Sequence, residues 1–504
     1  MAEVAAGLYA VETVFEGAAL GAFAVSRPTA PLHLGFRKLS LPVEIGDQLA
    51  RSGHTFNIVK GKAYIIGGYS DSNLSSASLR LEKNQTPGDN AVLALTLPVA
   101  SSTDGEGDVS PCDYEVISPT YKDAGRPLAP QSGTAQSEVI TRSQCLLRRT
   151  GHSTVAVGDK LYIWGGNATS DVPAEDFANH FVVFDTLTST YELLKVDISR
   201  CADGMPSPRT NHAACSSPHP IPNRPREGIR PHGEGTIFIH GGALSDEDQS
   251  PLRDTWALDI GTRVWTRLPD IPAPGPSEVA NEGRLAFIDG RLWRLGDGFG
   301  RVMFLDVEDS DRFSGADSVK WQVIEFGTDA THQDGATEGP KPTPGTGDAL
   351  SLPIPRISAN VLPVTTGSGR QYLLYFMGRE LKTGVLNDFW SFQIPSKENT
   401  AASLKDSIRD AVASRGMELW SSGKFRWARC EIETEVGVDE DDMEKREGKD
   451  SKEKSTATWQ EGAGLHSFAS DVWSDQGGNV FVIWGVKRGE GGRAVVQGWF
   501  VTVN

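Results

Sequence analysis

The chain has 504 residues, a hydrophobic fraction of 38% and a formal net charge of −17. This acidic balance argues against nucleic acid as a partner, because counterion-driven binding needs clustered Lys and Arg; an anionic membrane surface repels the chain for the same reason. No apolar run reaches the length of a membrane span, so we expect no membrane insertion.

The first 30 residues are predicted to form an N-terminal helical extension. Their Ala-rich periodicity ends ahead of Pro28, and three glutamates without an early Lys or Arg argue against a signal peptide. Five cysteines without CxxC spacing indicate reduced thiols. The sequence therefore predicts a cytoplasmic protein, with the nucleus as the alternative compartment.

Residues 31–504 are predicted to form one domain, because they contain an internal repeat. Each copy starts with Arg-x-x-His and leads through an apolar run to a pair of glycines. The three clear copies run from Arg51 to Gly68, from Arg149 to Gly166 and from Arg209 to Gly242. In the first two copies the spacing between the Arg and the glycines is identical.

Each unit is predicted to contain four short antiparallel strands, which is the composition of a propeller blade. Two apolar strands flank a tight turn, a third strand resembles Asp254-Thr-Trp-Ala-Leu-Asp259, and a fourth carries an aromatic such as Trp265. Six such units can be counted. The sixth lacks a fourth strand, and we expect Phe36-Arg-Lys-Leu-Ser-Leu-Pro42 to supply it, because this closure removes the exposed edges of the ring.

One segment of the domain has a different composition. Residues 431–458 carry eleven acidic and five basic side chains with few apolar ones. Such a stretch cannot bury enough apolar surface to fold, so it is predicted to be a disordered acidic insertion.

The glycine pair and the downstream aromatic resemble the Kelch repeat. The resemblance covers most of the chain and implies an all-β, six-bladed Kelch-type β-propeller with loop insertions. The resemblance to ubiquitin-ligase adaptors is limited to the repeats, since no BTB or BACK domain accompanies the repeats. Galactose oxidase also contains a Kelch-type propeller, but the ligands of its copper site cannot be placed in this sequence. The resemblance therefore implies no cofactor.

Residues that recur in every blade are expected to serve the fold, so departures from the repeat are the better functional candidates. Glu282 and Asp297 are the candidates for acid–base catalysis, since they stand near the degenerate fourth copy. The candidates for a polar pocket at one mouth of the ring are Asn281, Arg284, Asn360, Arg379 and His466. The alternative interpretation is ordinary drift among the blades.

A metal site is not predicted, although one set of residues has partly suitable spacing. Asp171, Glu175 and His180 resemble the carboxylate–carboxylate–His set with which plant specifier proteins hold iron. Asn179 stands where the His is expected, however, and Pro173 interrupts the segment.

The sequence leaves two functions open. The leading interpretation is an interaction or scaffold protein that binds a protein partner through its face loops, since a propeller presents variable loops on both faces. The alternative is a small-molecule enzyme or specifier, such as a lyase, isomerase or cyclase, that uses the central pocket for a small-molecule ligand. The fold alone does not choose between them.

Overall fold

In a computed structural model, the described part of the chain consists of most of the repeat region. It comprises residues 31–42, 46–70, 92–98, 112–122, 147–168, 180–221, 235–244, 251–272, 283–296, 300–307, 319–326, 352–367, 369–380, 384–395, 427–433, 464–465, 467–489 and 494–504. The predicted helical extension, residues 1–30, lies outside these ranges. So do residues 434–458 of the predicted acidic insertion.

The first half of the chain contains a first strand, a single helical turn and then three antiparallel blades. The strand is β1 (His33–Lys38) and the turn is α1 (Gly46–Leu49). The strands of this half are then β2 (Arg51–Val59), β3 (Lys62–Ser70), β4 (Val92–Thr96), β5 (Tyr114–Ile117), β6 (Thr120–Tyr121), β7 (Arg149–Thr150), β8 (Ser153–Val157), β9 (Lys160–Trp164), β10 (Asn167–Ala168), β11 (His180–Asp185), β12 (Thr190–Lys195), β13 (Ala213–Ser217), β14 (Thr236–His240), β15 (Thr255–Asp259) and β16 (Val264–Arg267).

The second half supplies three further blades. Its strands are β17 (Arg284–Ile288), β18 (Arg291–Leu295), β19 (Val302–Asp306), β20 (Gln322–Ile324), β21 (Asn360–Thr365), β22 (Gln371–Phe376), β23 (Arg379–Glu380), β24 (Gly384–Val385), β25 (Phe389–Ile394), β26 (Trp427–Arg429), β27 (Glu431–Glu433), β28 (Ser467–Val472), β29 (Val480–Arg488) and β30 (Ala494–Val503). Short 3₁₀ turns occur at Ile198–Arg200 and Ser474–Gln476.

The six blades form the all-β propeller that the repeats predict. Their strand orders are β2-β3-β4-β5, β8-β9-β11-β12, β13-β14-β15-β16, β17-β18-β19-β20, β21-β22-β25-β26 and β28-β29-β30-β1. We number the blades 1 to 6 in this order. In blades 1 and 4, the first and second strands are joined by two-residue turns with positive φ at both positions, Lys60-Gly61 and Asp289-Gly290. Such turns match the twist of a hairpin.

The core lies between the blades rather than inside any one of them. Six clusters of buried apolar side chains are present among the described residues, and each draws its members from two neighbouring blades. Between blades 2 and 3, for example, the ring centroids of Trp164 and Trp265 lie 5.9 Å apart in an edge-on arrangement. The strand tryptophans therefore pack blade against blade, as aromatic pairs favour.

The ring is closed by β1, as predicted. It pairs antiparallel with β30, with Leu34 opposite Val503 and Lys38 opposite Trp499. The strand begins at His33 and ends at Lys38, earlier than the sequence suggested. Leu39 nevertheless continues the ladder, because its N–H donates to the carbonyl of Gly498 over 2.8 Å.

Two fourth strands continue from one blade onto the outer edge of the next. β5 of blade 1 leads into β6, which pairs parallel with β12 of blade 2. β26 of blade 5 leads into β27, which pairs parallel with β1 of blade 6. Residues 431–433, the first three of the predicted disordered insertion, are thus part of a sheet, because their backbone groups find partners on β1. Disorder of 434–458 stays a prediction.

We expect Leu34→Ala to weaken ring closure. The Leu34 side chain is completely buried between blades 5 and 6, so its removal leaves a cavity and should lower the free energy of unfolding by about 2–5 kcal/mol. Denaturant unfolding measures this loss. The control is Leu187→Ala, at a side chain that is 65% exposed, which should change stability by less than about 0.5 kcal/mol. Similar values for the two variants would contradict this view of closure.

Candidate functional site

A central channel runs between the first strands of the six blades. β2, β8, β13, β17, β21 and β28 contact one another in cyclic order, and they enclose a cavity of about 500 Å³. We call the end of the channel at which the first strands begin the entry face, and the opposite end the turn face. Because strands alternate in direction, the second strands also end at the entry face.

Buried arginines hold the strand ends together at the entry face. Arg51, Arg149, Arg209 and Arg356 each donate from Nη1, over 3.1 Å, to the backbone carbonyl at the end of the second strand of the same blade. Burial lowers the pKa of Arg149 to about 9. The repeated Arg therefore serves the fold, as its recurrence predicts.

In blades 3 and 5 this arginine also binds a carboxylate. Both oxygens of Asp388 accept hydrogen bonds from Arg356, and Asp388 Oδ2 also accepts one from Trp390 Nε1 over 2.7 Å. Arg209 and Asp254 form the same arrangement in blade 3. Burial alone would raise the pKa of Asp388, but the hydrogen bonds and charge of Arg356 lower it below its usual value.

Two of the repeated histidines join their own blade to the preceding one. His152 Nε2 lies 3.1 Å from Thr55 Oγ1, and His212 Nε2 lies 2.6 Å from Ser153 Oγ. Burial and then the charge of Arg209 lower the pKa of His212 to about 3, and burial lowers that of His152 well below its ordinary value. Both imidazoles are neutral at physiological pH, so neither is poised for acid–base catalysis.

These histidines explain the first glycine of the pair. A Cβ on Gly67 would lie 2.6 Å from His152 Cε1, and a Cβ on Gly165 would lie 2.6 Å from His212 Cε1. Both glycines also have positive φ. The Arg-x-x-His and the glycine pair are thus two sides of one contact between neighbouring blades.

The departure from the repeat in blade 4 is compensated within the structure. Gly283 replaces the histidine, and the side chain of Arg294 occupies the space, with its Cζ 2.5 Å from where a Cβ of residue 283 would stand. Arg294 Nε donates to Nε2 of His240 over 2.7 Å. The degenerate copy therefore keeps a polar link between blades 3 and 4 in another form.

Two of the predicted pocket residues lie in the channel wall. Arg284 and Asn360 both line the cavity, and Asn360 Nδ2 donates a short hydrogen bond to Ser470 Oγ of blade 6. Arg379 does not join them, because it lies exposed on β23, in a two-stranded ribbon with β24.

The described structure does not test the other predicted site residues. Asn281, Glu282, Asp297 and His466 lie outside the described residues, as do Asp171 and Glu175. The backbone of His180 opens β11, and nothing is described of its side chain. Within the described residues, no group of three His, Cys, Asp or Glu side chains could hold a metal ion. No described helix is long and apolar enough to cross a membrane.

Asp471, which the repeat pattern did not single out, lines the cavity from β28. Its Oδ2 accepts a hydrogen bond from the backbone N–H of Ile58 in blade 1 over 2.8 Å. Burial raises the pKa of this carboxyl to about 7, against the opposing effect of its hydrogen bonds. A signal existed in the sequence, since Asp is depleted in strands and Asp471 interrupts the strand Ser467-Phe-Ala-Ser-Asp-Val472.

Known proteins share limited similarity with the chain. No family model matches it. A curated relative, "Tip elongation aberrant protein 3" of Schizosaccharomyces pombe (strain 972 / ATCC 24843), is 28% identical over 146 residues, which are 26% of this chain and 12% of the relative. The match thus spans about an eighth of that protein. A solved structure titled "Structure of YjhT" covers 92% of this chain and 99% of its own, with a TM-score of 0.40 and 12% identity.

We expect Arg356→Ala to destabilise the protein by about 3 kcal/mol or more, because it leaves the half-buried carboxylate of Asp388 without its partner. Arg379→Ala, in the same blade but at an exposed side chain, is the matched control and should cost less than about 0.5 kcal/mol. Denaturant unfolding compares the two. A larger loss for Arg379→Ala would overturn the assignment of Arg356 as a structural residue.

Asp471 should make stability depend on pH. Its folded-state pKa of about 7 lies above the reference value of 3.8, so between about pH 4 and pH 7 the folded state retains a proton that the unfolded state has lost. The free energy of unfolding should therefore fall as pH rises through this window, and Asp471→Asn should remove that fall. Urea midpoints measured across the window test this. If the free energy of unfolding changed with pH in the same way for the wild type and Asp471→Asn, the prediction would be refuted. The other carboxylates are present in both proteins, so their effects cancel in the difference.

Proposed function

We propose that the protein is a Kelch-type propeller that acts as an interaction scaffold and binds a protein partner through loops on its entry face. A cytoplasmic location is part of this proposal. The four described cysteines, Cys112, Cys201, Cys215 and Cys430, are free thiols, which agrees with a reducing compartment.

The distribution of long connections between the two faces carries the proposal. At the turn face, two-residue turns join the first and second strands of blades 1 and 4, and one of the five connections longer than 20 residues, 396–426, begins there. Every connection from a second to a third strand begins and ends at the entry face. The connections from one blade to the next also reach the next blade at this face. The long entry-face connections include 71–91, 123–146, 327–351 and 434–463. A rigid ring that presents variable connections on one face is a common arrangement for recognition.

The polar groups that recur at the entry face support this proposal indirectly. The buried arginines bind carbonyls or carboxylates of their own blades, and the two repeated histidines that are buried join neighbouring blades. These side chains are occupied by the fold. Recognition is therefore assigned to the connections that differ from blade to blade.

The cavity favours a second candidate function. Its volume of about 500 Å³ is in the range of small-molecule sites. Arg284 and Asn360 lie in its wall, and Glu282 and Asp297 immediately adjoin Gly283 and Gly296 at the entry face. A lyase, isomerase or cyclase acting on a small molecule could use this set, with Glu282 or Asp297 as the acid or base.

Replacing 434–463 by a short Gly/Ser linker should abolish capture of the partner without changing the melting temperature. The matched control replaces 396–426, which joins the third and fourth strands of blade 5 and so begins at the turn face. Quantitative mass spectrometry of affinity-purified wild type and both variants measures capture.

A protein lost only from the first variant supports the scaffold proposal. Loss from both variants or from neither refutes this placement of the binding surface. Native mass spectrometry of the same wild-type preparation separates the two functions, because a retained small molecule instead of a polypeptide favours the enzyme.

A further inference from the structure

Each blade carries one aromatic side chain at the same level of its fourth strand. This residue lies in line with the second-strand residue that stands four positions before that strand's terminal Gly or Met. From blade 1 to blade 6 these aromatic residues are Tyr114, Tyr191, Trp265, Trp321, Trp427 and Phe36. The four members in blades 2 to 5 are at most 6% exposed and Phe36 is partly buried, whereas Tyr114 is 42% exposed.

In blades 2 and 4, the chain segment that follows the preceding blade's fourth strand covers this aromatic. Tyr121 of β6 packs on Tyr191, with the ring centroids 5.5 Å apart. The carbonyl of Pro269 accepts a hydrogen bond from Trp321 Nε1 over 2.8 Å. The exposure of Tyr114 shows that its own cover is incomplete, so its ring can make a further contact.

The backbone beside Tyr114 is also open. Among the described residues, β5 pairs only with β4. The carbonyl of Asp113 accepts a hydrogen bond from the N–H of Thr96, next to β4, over 2.8 Å. Because the residues of an antiparallel strand alternate in the direction of their backbone groups, the N–H and C=O groups of Tyr114 and Val116 point away from β4.

The protein itself indicates what kind of segment fits this edge. In blades 2 and 6, a short strand pairs parallel with the outer edge of the fourth strand, β6 with β12 and β27 with β1. In blade 1 the same path is only begun, because the carbonyl of Ser40 accepts a hydrogen bond from the N–H of Cys112 over 2.9 Å. No described strand continues it along Tyr114 and Val116. An extended segment could therefore continue this parallel path.

The side chains of β5 define the sequence that matches it. Tyr114 and Val116, both more than 40% exposed, lie opposite members of the apolar cluster between blades 6 and 1. Asp113 and Glu115 are exposed on the other side of the strand, where Glu115 lies 3.5 Å from Lys62. Successive side chains of a strand point to opposite sides. A matching strand therefore alternates aromatic or apolar residues with Lys or Arg.

We propose that the outer edge of β5 binds an extended segment of a partner protein in which aromatic or apolar residues alternate with Lys or Arg. The segment pairs with the outward backbone groups of Tyr114 and Val116, an aromatic ring packs on Tyr114, and the basic side chains face Asp113 and Glu115. A second copy of β5 fits poorly, because like charges would lie side by side. Residues 1–30 fit poorly, because they contain three glutamates and a single arginine. This edge is distinct from the entry-face connections of the scaffold proposal and is tested separately.

The test is fluorescence anisotropy of the full chain with a labelled peptide, Ser-Lys-Tyr-Lys-Val-Lys-Ser, and with a second peptide in which Glu replaces each Lys. We expect the Lys peptide to bind at least about tenfold more tightly. Tyr114→Ala should weaken its binding about tenfold, because the aromatic contact is lost. Val116→Pro should weaken it by a similar factor, because proline removes an outward N–H and is tolerated at the edge of a sheet.

The matched control is Leu187→Ala, which removes an exposed apolar side chain between β11 and β12 and should leave peptide binding unchanged. No binding of the Lys peptide, equal binding of the two peptides, or wild-type affinity in Tyr114→Ala or Val116→Pro would overturn the proposal. A wild-type dimer that Val116→Pro converts to a monomer in sedimentation would assign the edge to a second copy and also overturn it. If Val116→Pro does not fold, as judged by circular dichroism, the two peptides and Tyr114→Ala decide.

Discussion

A propeller blade cannot complete a hydrophobic core by itself, and the organisation of this protein follows from that constraint. A single twisted sheet has two faces, and among the described residues both are covered by the neighbouring blades, with one apolar cluster at every junction. Stability is therefore shared among junctions. Because blades 1 and 6 would otherwise each expose an apolar face, the chain must close into a ring.

The same constraint gives meaning to the most conspicuous motif of the sequence. Arg-x-x-His and the glycine pair resemble a catalytic signature, yet the histidine and the first glycine form one contact that recurs at two junctions, between blades 1 and 2 and between blades 2 and 3. His212 of blade 3 fills the space that Gly165 of blade 2 leaves open, and Arg149 satisfies the carbonyl of the same glycine. The replacement of this contact by Arg294 and Gly283 in blade 4 shows that the requirement is a filled, polar junction rather than a particular residue.

Periodic features of the sequence were sufficient to predict the architecture, because each blade repeats the same local pattern. The closing strand followed from the same reasoning, since the sixth unit lacked a partner that Phe36 and its neighbours could supply. Arg356 was not predicted, because its spacing to the end of the second strand differs from that of the other arginines. A longer hairpin loop in blade 5, around Thr366 and Arg370, changes this spacing, and Met377 replaces the Gly at the strand end. Asp471 was not predicted as a site residue, because its environment is formed by residues of blade 1 that lie more than four hundred positions away in the chain.

Closure by β1 has a consequence for the synthesis of the protein. A ribosome delivers residues in chain order, so β1 leaves the ribosome first and must wait for β30, its partner strand, while nearly all of the intervening propeller is made. During that time Leu34 and the faces of blades 1 and 5 that later contact blade 6 are exposed to water and to other nascent chains. During the interval between translation of β1 and of β30, these apolar groups lack their partners, and a ribosome stalled just before β30 would release a molecule with an open ring.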